Sequence, residues 1–327
     1  MIIVCIVFGG IVALLFFLFL FAYGIHHHAF GKRWDPDGIV KYYDTKEYPN
    51  FEAEEVEIPF KKNTLRGFLY AYPNMPYKGI LVFAHGMWGS HRAYLQEIEQ
   101  YAKAGYKVLG FDYKGTELSD GKSIGGLGNS LASLDYALDY IKQIYSKDKI
   151  FVVGHSWGGF AAVSIAKYHP DLAGIIAMAP FLNVRRVLKA LLPKPLYPLI
   201  PFILFIDWVK CGSYSFTNAI QVLRNTKIKT LILHSVDDSM IPYKTSTAYL
   251  MKKIKNPNLS YKIVEGKNHN PDYSLEALAY TKEVMTIWNS IKNEEDKLEY
   301  KKNMDYHKMG ELDQEIISFQ LHFLNSL

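Results

Sequence analysis

A serine between two glycines, Ser156 in the stretch FVVGHSWGG, has the surroundings of a catalytic nucleophile. The residues before it predict a buried strand and those after it predict an apolar helix, so the chain must reverse at Ser156. Such a tight reversal crowds the backbone, which explains why Gly154 and Gly158 lack side chains. The serine would then be exposed in a strained turn, the geometry of a nucleophile elbow. A plain Gly-Ser turn is the alternative, because the pattern G-x-S-x-G is short.

A serine hydroxyl needs a nearby base, and the base needs a third group that orients it. In chains with this elbow, an acid and then a histidine follow the serine. Asp237 and Asp238 come directly after the predicted strand Thr230–His234. The D-x-x-I-P spacing that starts at Asp238 favours that residue, and Asp237 is the alternative. His269 lies in a polar loop after the next strand and is the predicted base.

Charge that develops on a substrate oxygen requires two backbone N–H donors. One is expected from Trp157, because the first N–H groups of a helix have no partner within the helix. The other is expected from Met87 in the loop AHGMWGSH, where Gly86 lets the backbone turn closely. A simple turn at the end of a strand would explain Gly86. It would not explain the elbow, the acid and the histidine in this order.

The elements that must position these residues alternate along the chain. From residue 80 onward, short apolar strands are separated by helices, which predicts an α/β fold with a mostly parallel sheet and helices on both faces. The segment 181–225 interrupts this alternation and is rich in Leu, Ile, Phe and Pro. It is predicted to be an inserted cap that walls the substrate pocket. The catalytic domain, with this cap, is expected to span 51–327.

The N-terminus contains a long apolar run that is separate from the catalytic motifs. Residues 1–23, MIIVCIVFGGIVALLFFLFLFAY, contain no charged side chain and reach about 35 Å as a helix, enough for a bilayer core of about 30 Å. We therefore predict a transmembrane anchor at 1–24 and a linker at 25–50, with a signal peptide cleaved near Ala22 as the alternative. The basic residues after the span favour a cytoplasmic catalytic domain. The triplet His26–His28 is expected at the headgroup level rather than on a metal ion.

The composition of the chain limits the classes of binding partner that are expected. The net charge is +5 with scattered basic residues, so nucleic acid is not an expected partner, whereas a weak attraction to an anionic membrane surface is. The two cysteines, Cys5 and Cys211, are not expected to form a structural disulfide, because Cys5 lies in the apolar run. No pattern in the sequence indicates an oligomeric state.

Five motifs, AHGMWGS, GFDYKGTELSDG, GHSWGG, DDSMIP and GKNHN, stand where α/β-hydrolases have theirs. From about residue 78 to its end, the chain resembles the serine aminopeptidase S33 and monoacylglycerol lipase-like esterases, and its tail resembles membrane-anchored bacterial members. The resemblance implies an α/β-hydrolase fold with Ser156 as nucleophile, Asp238 as orienting acid and His269 as general acid and base. It implies an acyl-enzyme mechanism without a cofactor or a metal. Glu117 departs from the pattern, which has glycine there.

The charge of the predicted cap helps to choose between classes of substrate. An aminopeptidase must neutralise a substrate ammonium, usually with acids, but 181–225 contains one acid, Asp207, against six basic residues. An apolar, mildly basic cap favours a serine carboxylesterase that acts on esters with apolar or lipid-like acyl groups. An aminopeptidase or amidase on the same three residues is the alternative. A non-catalytic membrane protein that keeps only the fold is a further one.

Overall fold

The computed structural model describes residues 1–35 and 39–327. The strands in these residues form one eight-stranded sheet. The strands are Glu52–Phe60 (β1), Asn63–Ala71 (β2), Gly79–Ala84 (β3), Tyr106–Phe111 (β4), Ile150–His155 (β5), Gly174–Met178 (β6), Thr230–Ser235 (β7) and Leu259–Val264 (β8). Their order in the sheet is β1-β2-β4-β3-β5-β6-β7-β8. β2 runs antiparallel to β1 and β4, and the other neighbouring pairs are parallel. The predicted mostly parallel sheet is confirmed.

Helices cover both faces of this sheet. They are Ile2–Phe30 (α1), Leu95–Lys103 (α2), Asn129–Ile144 (α3), Trp157–Ile165 (α4), Val184–Leu191 (α5), Ile200–Cys211 (α6), Ala219–Asn225 (α7), Thr247–Lys253 (α8), Leu275–Ser290 (α9), Glu294–Lys302 (α10), Tyr306–Met309 (α11) and Gln314–Asn325 (α12). Side chains alternate along β3, so Ile80 and Val82 join one buried cluster while Leu81 and Phe83 join the other. The first cluster contains α3 and α4, and the second contains α2 and α12.

The central strands bring the predicted site residues to one edge of the sheet. β3 reads GILVFA and β5 reads IFVVGH, and all of these residues are buried, as expected for parallel strands covered on both faces. Parallel strands end on the same side, so the loops that follow them meet there. The loops after β3, β5, β7 and β8 carry Gly86, Ser156, Asp238 and His269, respectively.

The apolar segment 181–225 contains α5, α6 and α7, and it packs against helices. α6 docks onto the start of α3, where the Asp207 carboxylate accepts hydrogen bonds from the N–H groups of Leu127 (2.6 Å) and Gly128 (3.3 Å). The buried apolar side chains of the segment join the same cluster as α3 and α4. The segment therefore extends the main core on one face of the sheet.

α1 is an apolar helix of 29 residues whose mean hydropathy reaches 3.2, and by length and composition it is able to cross a membrane. The stretch Lys194–Asn225 is also long and apolar enough to cross a membrane, with a mean hydropathy of 1.3. A third of its most apolar part (33%) is buried in the domain, however. α1 continues to Phe30, so the predicted linker at 25–50 begins as helix. His26, expected at the headgroup level, is instead buried with its Nε2 atom 3.5 Å from Oδ1 of Asp207.

The loop after β4 contains Glu117, where the sequence departs from the family pattern. Glu117 has a φ of +29°, in the region that favours glycine. Its carboxylate accepts a hydrogen bond from Nη1 of Arg92 at 2.9 Å. This ion pair ties the loop to the turn before α2.

Candidate active site

Ser156 lies at the turn between β5 and α4 with φ 57° and ψ −110°, a conformation that L-residues rarely adopt. The adjacent glycines are required by close approach of the backbone. A Cβ atom on Gly154 would lie 2.3 Å from the carbonyl oxygen of Gly158, and a Cβ on Gly158 would lie 1.9 Å from that of Ala84. The turn therefore holds the serine hydroxyl, half-buried, above the end of the strand.

The structure brings Ser156, His269 and Asp238 together. His269 Nε2 lies 2.8 Å from Ser156 Oγ, and His269 Nδ1 lies 2.9 Å from Asp238 Oδ2. Asp237, the alternative acid, accepts hydrogen bonds from two backbone N–H groups of the loop that precedes His269. Asp237 is thus placed to stabilise that loop, whereas Asp238 is placed to orient the imidazole.

The carboxylate of Asp238 is buried and fully bonded. Oδ1 accepts hydrogen bonds from two backbone N–H groups of the following turn, at 2.9 and 2.8 Å. Burial opposes its ionisation, but the hydrogen bonds from His234 and His269 outweigh that effect and hold the pKa of Asp238 below its ordinary value. An aspartate that stays ionised is able to stabilise a positively charged His269.

His234 is a second histidine on the same carboxylate oxygen. Its Nε2 lies 3.1 Å from Asp238 Oδ2, and its Nδ1 lies 2.7 Å from the Thr247 hydroxyl. Sequence reasoning did not assign it a role in the site. The available signal was its position at the end of β7, four residues before Asp238.

A hydrogen-bond chain joins the loop after β3 to the loop of His269. The Gly86 N–H donates to the Tyr94 hydroxyl oxygen (3.2 Å), which lies 2.9 Å from Nδ1 of His155, and His155 Nε2 lies 2.8 Å from the carbonyl oxygen of His269. A carbonyl only accepts, so Nε2 carries the proton and Nδ1 accepts from Tyr94. Burial, followed by the proximity of His269, lowers the pKa of His155 to about 3, so this imidazole is neutral.

The two expected oxyanion donors belong to the loop after β3 and to the start of α4. Met87 lines the same cavity as Ser156, and Trp157 is the first residue of α4. Among the described residues, neither backbone N–H has a hydrogen-bond acceptor. Gly86 is required beside them, because a Cβ there would lie 2.4 Å from the Tyr94 hydroxyl oxygen.

Ser156 and His269 open onto a cavity of about 880 Å³. The other walls are the loops at 86–88, 239–240 and 266–270 and one face of α9. No described lining residue belongs to 181–225, so the expectation that this segment walls the pocket is wrong. Its buried apolar residues pack against α1, α3 and α4 instead. The described lining contains no carboxylate, and Lys282 of α9 is its one residue with a permanent charge.

Comparisons with known proteins find relatives among hydrolases. The family profile described as serine aminopeptidase, S33, matches residues 75–205. A Mycoplasma genitalium protein provisionally named esterase/lipase 2 is 23% identical over 254 residues, which cover 67% of this chain and 92% of that protein. A proline iminopeptidase of Saccharolobus solfataricus is 32% identical over 114 residues, 33% of this chain and 36% of the other.

Among solved structures, an esterase of Pyrococcus furiosus superposes with a TM-score of 0.56 at 20% identity, covering 79% of this chain and 96% of that one. This similarity shows the fold. The topology, the elbow and these matches make the chain a hydrolase of the α/β-hydrolase superfamily. Within that superfamily, residues 75–205 are similar to the serine aminopeptidase S33 family, and the relatives carry both esterase and peptidase names.

Proposed function

We propose that this protein is a membrane-anchored serine hydrolase that cleaves carboxylic esters with apolar or lipid-like acyl groups. The observation that carries the proposal is the position of His269 between Ser156 and Asp238, at 2.8 and 2.9 Å, beside an open and largely apolar cavity. Acyl transfer by a serine requires a hydroxyl, a base and a carboxylate that are joined by hydrogen bonds in this order.

In the first half of the proposed reaction, Ser156 Oγ attacks the ester carbonyl carbon while its proton passes to His269 Nε2. Asp238 stabilises the imidazolium through Nδ1–H, and the N–H groups of Met87 and Trp157 bind the oxyanion. Collapse of the tetrahedral intermediate breaks the bond to the alcohol oxygen, which takes the proton from His269. An acyl-Ser156 ester remains.

In the second half, a water molecule attacks the acyl-enzyme while His269 Nε2 takes its proton. The carboxylic acid leaves, and the proton returns to Ser156 Oγ. The reaction consumes only ester and water, so the residues named above supply every step. The hydrogen-bond chain through Tyr94 and His155 holds the oxyanion loop and the His269 loop at a constant separation while the charge moves.

The lining of the cavity favours ester over aminopeptidase substrates. An N-terminal ammonium needs a carboxylate partner in a desolvated pocket, and none is present among the described lining residues. Trp88, Met240, Leu278 and Met285 offer apolar surface to an acyl group instead. The charge of 181–225 does not bear on this choice, because the described residues of that segment do not line the cavity. The peptidase names of some relatives make an amide-cleaving enzyme the second candidate.

We propose that α1 is retained as the anchor. Leu18, Phe19 and Ala22 pack against the domain, so the part of the helix that cleavage would remove is both a candidate span and a packed part of the fold. A signal peptide would be removed and would not need this packing. The basic residues that follow the helix, beginning with Lys32 and Arg33, favour a cytoplasmic catalytic domain. Added protease should then leave the domain intact in sealed cells.

A fluorophosphonate probe followed by a substrate panel tests the proposal. The full chain should be labelled and should cleave p-nitrophenyl octanoate faster than p-nitrophenyl acetate and aminoacyl p-nitroanilides. A preference for an aminoacyl anilide would favour the second candidate. A folded chain that is not labelled and is inactive on the whole panel would favour a non-catalytic protein.

A further inference from the structure

α6 exposes large apolar side chains on one side although its other side is buried. Phe205, Trp208 and Val209 are 50%, 44% and 60% exposed, whereas Ile203 and Ile206 lie in the core. We call the three exposed residues the α6 face. We propose that the α6 face lies against the lipid bilayer beside α1, as a second membrane contact. This inference rests on the proposed anchoring by α1 and is independent of the reaction chemistry.

α1 contacts the domain along a single stripe. Leu18, Ala22, Ile25 and Ala29 are spaced three or four residues apart and pack against the core, whereas the side chains of 1–17 are exposed. The buried His26 adds a polar contact with Asp207 of α6. The exposed part of α1 therefore leaves the domain directly beside α6.

That exposed part is too short to cross a bilayer. Ile2–Phe17 rises about 24 Å at 1.5 Å per residue, whereas the hydrocarbon core is about 30 Å thick, and tilt would shorten its reach further. The hydrocarbon must therefore extend to residues 18–21, which already lie beside α6. The ring of Phe19 is 6.5 Å from that of Phe202 and 6.4 Å from that of Phe205. Phe205 of the α6 face is thus at the depth where the span ends.

The remainder of the α6 face has the composition of a membrane interface. The ring of Trp208 lies 5.8 Å from that of Phe205 and continues the row of aromatic side chains from the span outward. Tryptophan is enriched at the boundary between headgroups and acyl chains. The exposed charged side chains of 184–216 are all basic, and the one acid there, Asp207, is buried. An aromatic and basic surface fits an anionic lipid interface.

Quenching of tryptophan fluorescence tests the contact in the full chain. The protein is reconstituted into vesicles of phosphatidylserine and phosphatidylcholine, with the phosphatidylcholine either plain or brominated on its acyl chains near the headgroup. Bromine quenches tryptophans that touch the lipid. Trp208→Phe should remove most of the quenching seen in the wild type. Trp288→Phe, a matched control on α9, should retain it. Equal activity of both variants on p-nitrophenyl acetate shows that each is folded.

Three results would overturn the inference. Quenching that is unchanged in Trp208→Phe places the α6 face away from lipid. Quenching that disappears instead in Trp88→Phe means that the rim of the cavity, and not the α6 face, touches the bilayer. Release of the protein from the vesicles by alkaline carbonate would show that α1 does not anchor it in the bilayer. The first two results leave the anchor and the esterase proposal intact, so the failures are distinguishable.

Discussion

Two helices that follow strands at the same edge of the sheet have opposite relations to the cavity. α6 belongs to the long apolar segment 181–225, yet none of its described residues lines the cavity. α9 is less apolar, carrying charged residues such as Glu276 and Lys282, and it supplies one wall of the cavity. The more apolar helix is thus not the one that faces the proposed substrate.

The difference follows from what each helix packs against. α6 binds the start of α3 through Asp207 and lies beside α1, so its apolar surface is covered by helices or exposed at the α6 face. α9 begins at Leu275, one short loop after His269, and its start is capped by the Ser274 hydroxyl, which accepts a hydrogen bond from the N–H of Ala277 at 2.9 Å. Composition measures how much apolar surface needs a partner and does not identify the partner.

The largest expected effect on activity tests whether the reaction takes place in the cavity beside α9. Ser156→Ala should lower kcat for p-nitrophenyl esters by about 10⁴-fold or more and abolish fluorophosphonate labelling, because the nucleophile is gone. Ser213→Ala, the same change just after α6, should leave both unchanged. Labelling that survives Ser156→Ala would contradict the proposed mechanism.

The choice between the two aspartates gives the next largest effect. Asp238→Asn should lower kcat by about 10²- to 10⁴-fold, because an amide no longer holds His269 in the required tautomer or stabilises its positive charge. Asp237→Asn should cost less than about tenfold, since its hydrogen bonds are to the loop backbone. The measurement is steady-state kinetics on one ester. A larger loss in the Asp237 variant would reverse the assignment.

A pair of double variants compares α9 and α6 directly. Leu278→Ser with Met285→Ser should lower kcat/KM for octanoate esters about tenfold and spare acetate esters, because each buried methylene is worth about 0.8 kcal/mol. Phe202→Ser with Leu204→Ser on α6 should leave the chain-length profile unchanged. If the α6 variant loses the octanoate preference while the α9 variant keeps it, the comparison fails.

The smallest effect concerns stability on the cavity side. The pKa of buried His155 is about 3 rather than the ordinary 6.5, so between these values the unfolded chain binds a proton that the folded chain does not. The free energy of unfolding should therefore fall by about 2 kcal/mol from this residue as the pH drops from 7 to 5. Denaturant titrations of wild type and His155→Gln measure it, and the variant should lose correspondingly less. Equal losses would exclude His155 as a source.

Much of the fold and of the candidate site was predictable because the signals are local. Runs such as ILVFA before Gly86 predict buried strands, and parallel strands must end at one edge, so the loops that carry Ser156, Asp238 and His269 had to meet. The crowding that requires Gly154 and Gly158 is likewise contained within one turn. The partners of His234 and His155 were not predictable, since a histidine at a strand end has the same local pattern whether it contacts a carboxylate or only core side chains.

The sequence by itself therefore determined the class of fold, the order along the chain of the proposed nucleophile, acid and base, and an N-terminal helix apolar enough to cross a membrane. Each of these features is encoded by local periodicity or by a short motif, and the motifs follow one another in a recognisable order along the chain. Only the tertiary structure decided that α9 rather than α6 forms a wall of the cavity, that His234 shares the oxygen of Asp238, and that His26 of α1 docks against α6. These contacts join segments far apart in the chain, and their geometry depends on how every intervening element packs.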